Sequence, residues 1–443
     1  MKVDPLFSVL LLFCLRFRLS FTSENVCIDC LRLTPHIRNG SLNVARNLAE
    51  VDSSKFLNIK SYSGFITVKD EYDSNLFFWF FPKSNMSTTP LIIWLQGGPG
   101  YSSLKGLFDI IGPFQVEDDK VIERPVTWAS NYSLLFLDQP VGTGFSFTSD
   151  DRGYTNNEDD VGEQMYEFLI QFLELFPEIK EAPLFVMGES YAGKYVPALA
   201  IQIHRRMNKY PINLKGIAIG NGLIDPLSMM HYSDFSRILG LLDDTQVEVL
   251  KIIEQDTVQA IHEERMLDAA LGFNKTLEYI KKHSGVSFYN FNMDQGGGAP
   301  AFEAFVNRHD IREAIHVGNA SFNLNNQLVY QKMQPDMMNT TKPFVEELLE
   351  HYGVMCYSGQ LDVILPYGLS RNLYSKLNWS GRPEYIKASR RRLRNAIDGT
   401  IVAYKKSGGN FAEVLIRRAG HMVPEEQPDV AKFIIDRFIE EYK

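Results

Sequence analysis

A serine stands between small residues at the end of an apolar run. Residues 183–193 read Pro-Leu-Phe-Val-Met-Gly-Glu-Ser-Tyr-Ala-Gly, so Ser190 follows a strand pattern and precedes a helical one. Gly188 and Ala192 permit the sharp strand-to-helix turn that exposes a nucleophilic hydroxyl, although alanine replaces the second glycine of the strict G-x-S-x-G pattern. The turn would aim the Tyr191 N–H at a developing oxyanion. The sequence therefore predicts Ser190 as the nucleophile of an acyl-transfer reaction.

The acid and the base that such a serine needs lie further along the chain. Asp362 follows a strand pattern at residues 353–357, and His421 follows another at residues 411–416. Both fall on loops at the carboxyl ends of strands, in the order serine, acid, histidine. We expect His421 to take the Ser190 proton and Asp362 to orient it. The other eight histidines lack this setting and are interpreted as structural: His36, His204, His231, His262, His283, His309, His316 and His351.

Three glycines follow a third strand pattern, in the run Gln96-Gly97-Gly98-Pro99-Gly100. A tight turn would explain them. An acyl-transfer enzyme, however, also needs a second backbone N–H close to the reacting carbonyl, and glycine permits that approach. We assign this second N–H to Gly98.

The elements that must position these residues alternate between apolar runs and amphipathic stretches. This alternation indicates an α/β fold with a central, mostly parallel sheet flanked by helices. Helical periodicity is clear at residues 159–175, 191–207 and 430–441. Strands are predicted at residues 62–68, 76–81, 91–95, 134–137, 183–187, 214–219, 353–357 and 411–416.

The strand signal fades in the middle of the chain. Helical patterns dominate there, for example at residues 246–271 and 308–315, which predicts a largely helical insertion over the carboxyl edge of the sheet. The predicted organisation is a signal peptide (1–22), a first core part (23–222), a helical cap (223–352) and a second core part (353–443).

Composition is that of an ordinary globular protein. The chain has 443 residues, of which 45% are hydrophobic and 22% charged, with a net charge of −9. This balance gives no indication of a nucleic-acid partner. The basic run at residues 390–394 is interpreted as a solvated helix face rather than a binding patch. The sequence does not define the oligomeric state, and a homodimer is compatible with it.

The N-terminus has the pattern of a targeting segment. Lys2 precedes an apolar run at residues 6–15, as in a signal peptide, and this run is too short to span a bilayer. No later apolar run is long enough either. We therefore expect no membrane association after the signal peptide is removed. Together with this start, Asn-x-Ser/Thr sequons favour the secretory route, with an extracellular or lysosomal destination. Six are taken as glycosylation candidates: Asn39, Asn85, Asn274, Asn319, Asn339 and Asn378. Asn131 is set aside because an apolar strand pattern follows it.

Cysteines are few. Beyond Cys14 in the predicted signal, only Cys27, Cys30 and Cys356 remain. We expect a local Cys27–Cys30 disulfide and a buried, free Cys356. The segment supplies too few ligands for zinc, so no metal or other cofactor is predicted.

Five motifs taken together resemble those of serine carboxypeptidases, which have the α/β-hydrolase fold. They are residues 94–103 (WLQGGPGYSS), 137–146 (LDQPVGTGFS), 188–197 (GESYAGKYVP), 216–226 (GIAIGNGLIDP) and 420–424 (GHMVP). The likeness is greatest to the vitellogenic-carboxypeptidase-like branch. It implies hydrolysis of a peptide's C-terminal residue under acidic conditions, without a metal, by Ser190, Asp362 and His421.

The resemblance also implies residues that recognise the substrate. Gln96 takes the place of the family's amide, and Glu189 that of one of two glutamates that bind the terminal carboxylate when protonated. Gly97 and Met422 are carried over as further substrate-binding residues.

One position departs from the family pattern. The second glutamate is replaced by Ile110, and Asp109 lies one residue early, where its side chain would point elsewhere. A carboxypeptidase is therefore the first interpretation. The alternatives are an esterase, amidase or acyltransferase of the same fold with relaxed carboxylate recognition, and a non-catalytic binding or protective protein.

Overall fold

The computed structural model describes residues 27–294 and 299–443. The predicted signal peptide, residues 1–22, lies outside them. The strands in the described residues are β1 (Tyr62–Lys69), β2 (Ser74–Phe81), β3 (Leu91–Leu95), β4 (Phe114–Glu117), β5 (Lys120–Glu123), β6 (Ser133–Leu137), β7 (Leu184–Glu189), β8 (Leu214–Gly220), β9 (Gly353–Gly359), β10 (Arg391–Arg394), β11 (Ile401–Gly408) and β12 (Phe411–Ile416).

Ten of these strands form one sheet, in the order β1-β2-β6-β3-β7-β8-β9-β12-β11-β10. The six central strands, β6, β3, β7, β8, β9 and β12, are parallel to one another. An antiparallel pair lies at each edge, β1 with β2 and β10 with β11. β4 and β5 form a separate hairpin. The predicted α/β class with a mostly parallel central sheet is confirmed.

Helices cover both faces of the sheet. The described helices are α1 (Thr34–Arg38), α2 (Leu42–Ala49), α3 (Glu158–Leu175), α4 (Ala192–Arg205), α5 (Pro226–Met229), α6 (Tyr232–Ile238), α7 (Asp244–His262), α8 (Met266–Ser284), α9 (Ala301–Val306), α10 (His309–Ala314), α11 (Gln327–Met333), α12 (Lys342–Leu349), α13 (Tyr367–Lys376), α14 (Arg382–Lys387), α15 (Val423–Glu426) and α16 (Pro428–Tyr442).

The continuous apolar run of β3 follows from its position in the middle of the sheet. Leu91, Ile93 and Leu95 pack into one hydrophobic cluster, whereas Ile92 and Trp94 pack into the cluster on the other face. A strand covered on both faces needs apolar side chains in both directions. The same burial explains why the central strands could be predicted from short apolar runs.

The segment between β8 and β9 contains α5 to α12 and, in its described residues, no strand of the main sheet. The helical pattern at residues 246–271 corresponds to two helices rather than one. α7 ends at His262 and α8 starts at Met266, with Glu264 in the left-handed region at φ 58°. The two helices pack against each other as a hairpin.

The interpretation of the basic run as a helix face is wrong. Residues 391–394 form the edge strand β10, in which Arg391 pairs with Lys405 and Leu393 with Ala403 of β11. Leu393 is half-buried while the flanking arginines are exposed. Hairpin pairing with the next strand, β11, decides the conformation here, and a run of arginines gives no periodic signal of it.

The cysteine prediction is confirmed, since Cys27 and Cys30 form a disulfide and Cys356 is free and buried. No helix in the described ranges has both the length and the apolarity needed to span a membrane. Among the sequons, Asn39, Asn85, Asn131, Asn319 and Asn378 are exposed, whereas Asn274 and Asn339 are half-buried. The strand that follows Asn131 therefore does not bury it.

Candidate active site

Ser190 occupies a strained turn between β7 and α4. Its φ of 65° lies in the left-handed region, which non-glycine residues rarely adopt. Its N–H donates to the Gly220 carbonyl over 2.9 Å, and its own carbonyl accepts from Gly193 and Leu223 at 2.9 Å and 3.0 Å. These backbone bonds hold the turn in the conformation that the sequence predicted.

Small residues around the turn are required by its packing. A Cβ on Gly188 would lie 2.3 Å from the Leu95 carbonyl oxygen and 2.8 Å from the Ala192 Cβ. A Cβ on Gly97 would lie 2.5 Å from the Tyr191 nitrogen and 2.8 Å from the Ser190 Cβ. The glycine loop after β3 therefore rests directly against the serine turn.

Asp362 and His421 meet at the carboxyl ends of β9 and β12. His421 Nδ1 lies 2.8 Å from Asp362 Oδ2, and both side chains are fully buried. The other oxygen of Asp362, Oδ1, accepts the backbone N–H groups of Ile364 and Leu365 at 2.9 Å and 3.2 Å. These donors fix the carboxylate in the orientation that contacts the imidazole.

Asn221 is a site residue that the sequence analysis did not identify. Its Nδ2 donates to Asp362 Oδ2 over 2.5 Å, and its Oδ1 accepts from the Gly359 N–H at 3.2 Å. Asn221 directly follows β8 with φ 41°. The available signal was an asparagine between glycines at the carboxyl end of a predicted strand.

His421 is held from its other side by Tyr289. The backbone N–H of His421 donates to the Tyr289 carbonyl over 2.6 Å, and the centres of the two rings lie 5.5 Å apart. Within the described residues Nε2 of His421 is buried without a hydrogen-bond partner, so it does not bond to Ser190 in this structure. Burial lowers the pKa of His421, but the charge and hydrogen bond of Asp362 outweigh burial and raise it above its usual range.

Gln96 and Glu189 form a second buried pair beside the serine. Gln96 Nε2 donates to Glu189 Oε1 over 2.8 Å, while Gln96 Oε1 accepts from Trp94 at 3.0 Å. Glu189 Oε2 has no partner among the described residues. Burial raises the pKa of Glu189 to about 7, against the smaller lowering effects of His421, Gln96 and Lys105. Glu189 is therefore a carboxyl that stays protonated in mildly acidic solution.

The segment that departs from the family pattern forms a single π-helical turn, Gly106–Ile110. Ile110 is only 1% exposed and packs in the hydrophobic cluster that contains Trp94. Asp109 is half-buried and contacts Lys105 Nζ at 3.0 Å, and that ammonium also contacts Glu425 at 3.1 Å. Asp109 therefore forms an ion pair and does not lie where Ile110 does.

Two other predicted site residues lie next in sequence to residues already described, Gly98 after Gly97 and Met422 after His421. Gly98 has φ 117°, and a Cβ there would lie 2.7 Å from the nitrogens of both Gly100 and Tyr101, so only glycine fits. Met422 follows His421, is half-buried and precedes α15. In residues 27–294 and 299–443 no three His, Cys, Asp or Glu side chains gather as metal ligands would.

Comparisons with known proteins identify the family. The family model for serine carboxypeptidases matches residues 51–441. The venom serine carboxypeptidase of Apis mellifera is 41% identical over 424 residues, which cover 92% of this chain and 90% of the relative. The vitellogenic carboxypeptidase of Aedes aegypti is 39% identical over 425 residues, covering 92% and 89%.

Among solved structures, the prohormone-processing carboxypeptidase Kex1(Δ)p of Saccharomyces cerevisiae superposes with a TM-score of 0.79. The superposition covers 89% of this chain and 96% of that one, at 24% identity, and supports the fold alone. On the family match and the identity to its relatives, the chain belongs to the serine carboxypeptidase family of serine-type hydrolases.

Proposed function

We propose that this protein removes the C-terminal residue of peptides through an acyl-enzyme on Ser190. The observation that carries the proposal is the buried 2.8 Å contact between His421 and Asp362, on strand ends next to the strained Ser190 turn. An imidazole oriented by a carboxylate is the base that a serine nucleophile needs.

The reaction has two halves. His421 Nε2 takes the proton of Ser190 Oγ as the oxygen attacks the carbonyl carbon of the last peptide bond, and the negative charge on the carbonyl oxygen is stabilised by the N–H groups of Gly98 and Tyr191. His421 then gives the proton to the leaving amino group as the C–N bond breaks. Water repeats the sequence on the ester, which releases the shortened peptide and regenerates Ser190.

Recognition of the terminal carboxylate is assigned to Gln96 and Glu189, next to Gly97 and Met422. With a pKa of about 7, Glu189 is protonated below neutral pH and can donate from its unpartnered oxygen to a carboxylate. Above neutral pH the same group would be an anion and would repel the substrate. The proposed activity is therefore that of an acidic compartment.

A second function is favoured by Ile110. Because this side chain is buried among apolar neighbours, the site has one buried recognition acid in Glu189 rather than two. Weaker recognition of a free carboxylate would leave the acyl-transfer site open to esters and amides. The alternative is therefore an esterase, amidase or acyltransferase with the same nucleophile.

The test compares a blocked dipeptide carrying a free C-terminal carboxylate with its C-terminal amide, from pH 4 to 8, for wild type and Ser190→Ala. Preference for the free acid at low pH, lost in the variant, supports the carboxypeptidase. Equal or faster cleavage of the amide supports the broader hydrolase. If neither substrate is cleaved and a fluorophosphonate does not label Ser190, a non-catalytic binding or protective role replaces both.

The N-terminal pattern and the exposed sequons support a proposal for the cellular location of the protein. We propose synthesis through the secretory route, with delivery outside the cell or to lysosomes. Residues 223–352 are proposed to act as the cap that shapes access to the site. A shift in gel mobility after deglycosylation of secreted protein tests the route.

A further inference from the structure

Basic residues are concentrated at one edge of the molecule. From Arg371 to Arg418 the sequence has twelve lysines and arginines and only three acidic residues, a formal charge of +9 in a chain whose net charge is −9. They belong to α13, α14, the β10–β11 hairpin and the end of β12. We call this set the basic edge: Arg371, Lys376, Arg382, Lys387, Arg390, Arg391, Arg392, Arg394, Lys405, Lys406, Arg417 and Arg418.

The basic edge contains a recess of about 500 Å³. Four of its cations line the recess, together with the buried carboxylate of Glu413, which accepts from the Tyr367 hydroxyl at 3.3 Å. None of the four forms an ion pair with a carboxylate in the described part of the chain, whereas Lys405 nearby pairs with Glu441 at 3.5 Å. The four unpaired cations are Arg371, Arg382, Arg390 and Lys406.

Three of these side chains are held in place by contacts other than ion pairs. The Arg390 guanidinium lies 4.4 Å from the ring centre of Tyr404 and 5.5 Å from that of Tyr367. Lys406 lies 4.4 Å from the Tyr385 ring, and Arg382 donates to the Ser375 carbonyl over 3.1 Å. Cation–π contacts fix a side chain while its N–H groups remain free for an anion. The recess is thus prepared for a negatively charged group.

The exposed arginines of β10 continue this charge away from the recess. Arg392 and Arg394 are exposed on the edge strand. Arg392 pairs with Tyr404, whose ring contacts Arg390, so it lies on the face of the sheet that holds the recess. Arg391 pairs with Lys405 and points to the opposite face. An anion in the recess would therefore leave further cations along the strand for charges on the same ligand. This arrangement suits an extended chain that carries an anion on each unit.

We propose that the basic edge binds a sulfated polysaccharide, with one anionic sugar in the recess and the chain continuing along β10. Guanidinium groups match the oxygen geometry of sulfate through paired N–H donors. A membrane offers its phosphates in one plane, whereas the cations of the basic edge lie both inside the recess and along the exposed edge strand. Single-stranded nucleic acid uses free aromatic faces for stacking, whereas Arg390 already lies against the rings of Tyr367 and Tyr404.

The binding test uses the full-length secreted protein and heparin as the sulfated polysaccharide, at physiological salt. The recess variant is Arg371→Gln/Arg382→Gln/Arg390→Gln. Its control, Lys120→Gln/Lys209→Gln/Lys282→Gln, makes the same charge change at exposed lysines elsewhere. We expect the recess variant to bind about tenfold more weakly and the control to change by less than about twofold. Hydrolysis of a small peptide should be unchanged in both, which keeps this test separate from the proposed function.

Other outcomes would overturn the proposal. Equal weakening in both variants would mean unspecific attraction to a polyanion, and equal binding of desulfated heparin by wild type would mean that sulfate is not recognised. Binding to phosphatidylserine vesicles but not to heparin would assign the basic edge to a membrane. Self-association that is lost in the recess variant, without heparin binding, would assign it to a second copy of the chain. The desulfated ligand requires no variant and tests the idea even if the triple substitution does not fold.

Discussion

Asn221 donates its hydrogen bond to the same oxygen of Asp362 that contacts His421, at 2.5 Å against 2.8 Å. One carboxylate oxygen therefore has two partners, one on the loop after β8 and one on the loop after β12. Since both side chains next to Asp362 are buried, the amide restricts rotation of the carboxylate and shares its charge. Asn221 is best described as a positioning residue for the proposed base.

Asn221→Ala should lower kcat by about tenfold while KM stays nearly constant. The substitution disturbs the orientation of the base, which matters in the transition state, and leaves the groups that bind the substrate unchanged. Without this donor the Asp362 carboxylate holds the imidazolium more strongly, so the pKa of His421 should rise. The acid limb of the kcat profile should then move to higher pH. Rate profiles from pH 4 to 8 measure both effects.

Asn213→Ala is the matched control, because Asn213 precedes the other end of β8 and its side chain donates to the Glu181 carbonyl, away from the triad residues. It should leave the profile of kcat against pH in place. A fall in kcat without a shift of the acid limb in Asn221→Ala would indicate a structural role for Asn221 alone.

Gly97→Ala should lower kcat by about a hundredfold, because the new Cβ would lie 2.5 Å from the Tyr191 nitrogen and must displace the loop or the serine turn. The rate of labelling by a fluorophosphonate should fall with it. Gly368→Ala is the control, since a Cβ there meets nothing within 4 Å. Wild-type labelling of Gly97→Ala would show that the close approach has no catalytic consequence.

The parts of the site that could be predicted from the sequence are those with local signals. Small residues after an apolar strand pattern indicate the serine turn, and Asp362 and His421 each follow a strand pattern. The contacts of Asn221 with Asp362 and of Lys105 with Glu425 depend on which distant loops meet, and no periodicity encodes that. The errors at residues 390–394 and 263–265 have a local cause. Pairing within the β10–β11 hairpin decides the first, and the positive φ of Glu264 decides the second.

Lys105→Met should move the loss of free-acid preference to higher pH. The positive charge of Lys105 lowers the pKa of Glu189, as do His421 and Gln96. The negative charge of Glu425 raises the pKa of Glu189. Removing the ammonium should therefore keep Glu189 protonated to a higher pH and extend carboxylate recognition in that direction. The measurement is the ratio of free-acid to amide cleavage between pH 5 and 8.

Two further variants test the same assignment. Lys432→Met removes a half-buried lysine that pairs with Asp436 at 2.7 Å on α16, and it should leave the ratio of free-acid to amide cleavage unchanged. Glu189→Gln carries an amide donor at every pH and should make the ratio nearly independent of pH. A ratio that still falls through pH 7 in Glu189→Gln would contradict the role of Glu189.

Stability should be greater at pH 5 than at pH 7.5. Burial raises the pKa of Glu189 to about 7 and that of Asp138 to about 6, so the folded chain binds more protons than the unfolded chain between about pH 4 and 7. The free energy of unfolding therefore falls as pH rises through this window, by up to about 3 kcal/mol for Glu189. Denaturant unfolding at several pH values measures it.

Glu189→Gln should weaken this dependence, because the amide cannot ionise. The raised pKa of His421 also makes the folded chain more stable at low pH, since that imidazole holds its proton more tightly in the folded chain than in the unfolded one. Equal stability of wild type at pH 5 and 7.5 would mean that Glu189 ionises freely despite its burial.

The parallel order of β7, β8, β9 and β12 also constrains when the protein can become active during its synthesis. Ser190 leaves the ribosome long before β12 and the loop that carries His421, and β12 must dock against β9 before the imidazole can reach the carboxylate. A nascent or C-terminally shortened chain can thus hold a complete serine turn and still have no base. The sheet topology itself keeps the hydrolase silent until almost the entire polypeptide has been made and folded.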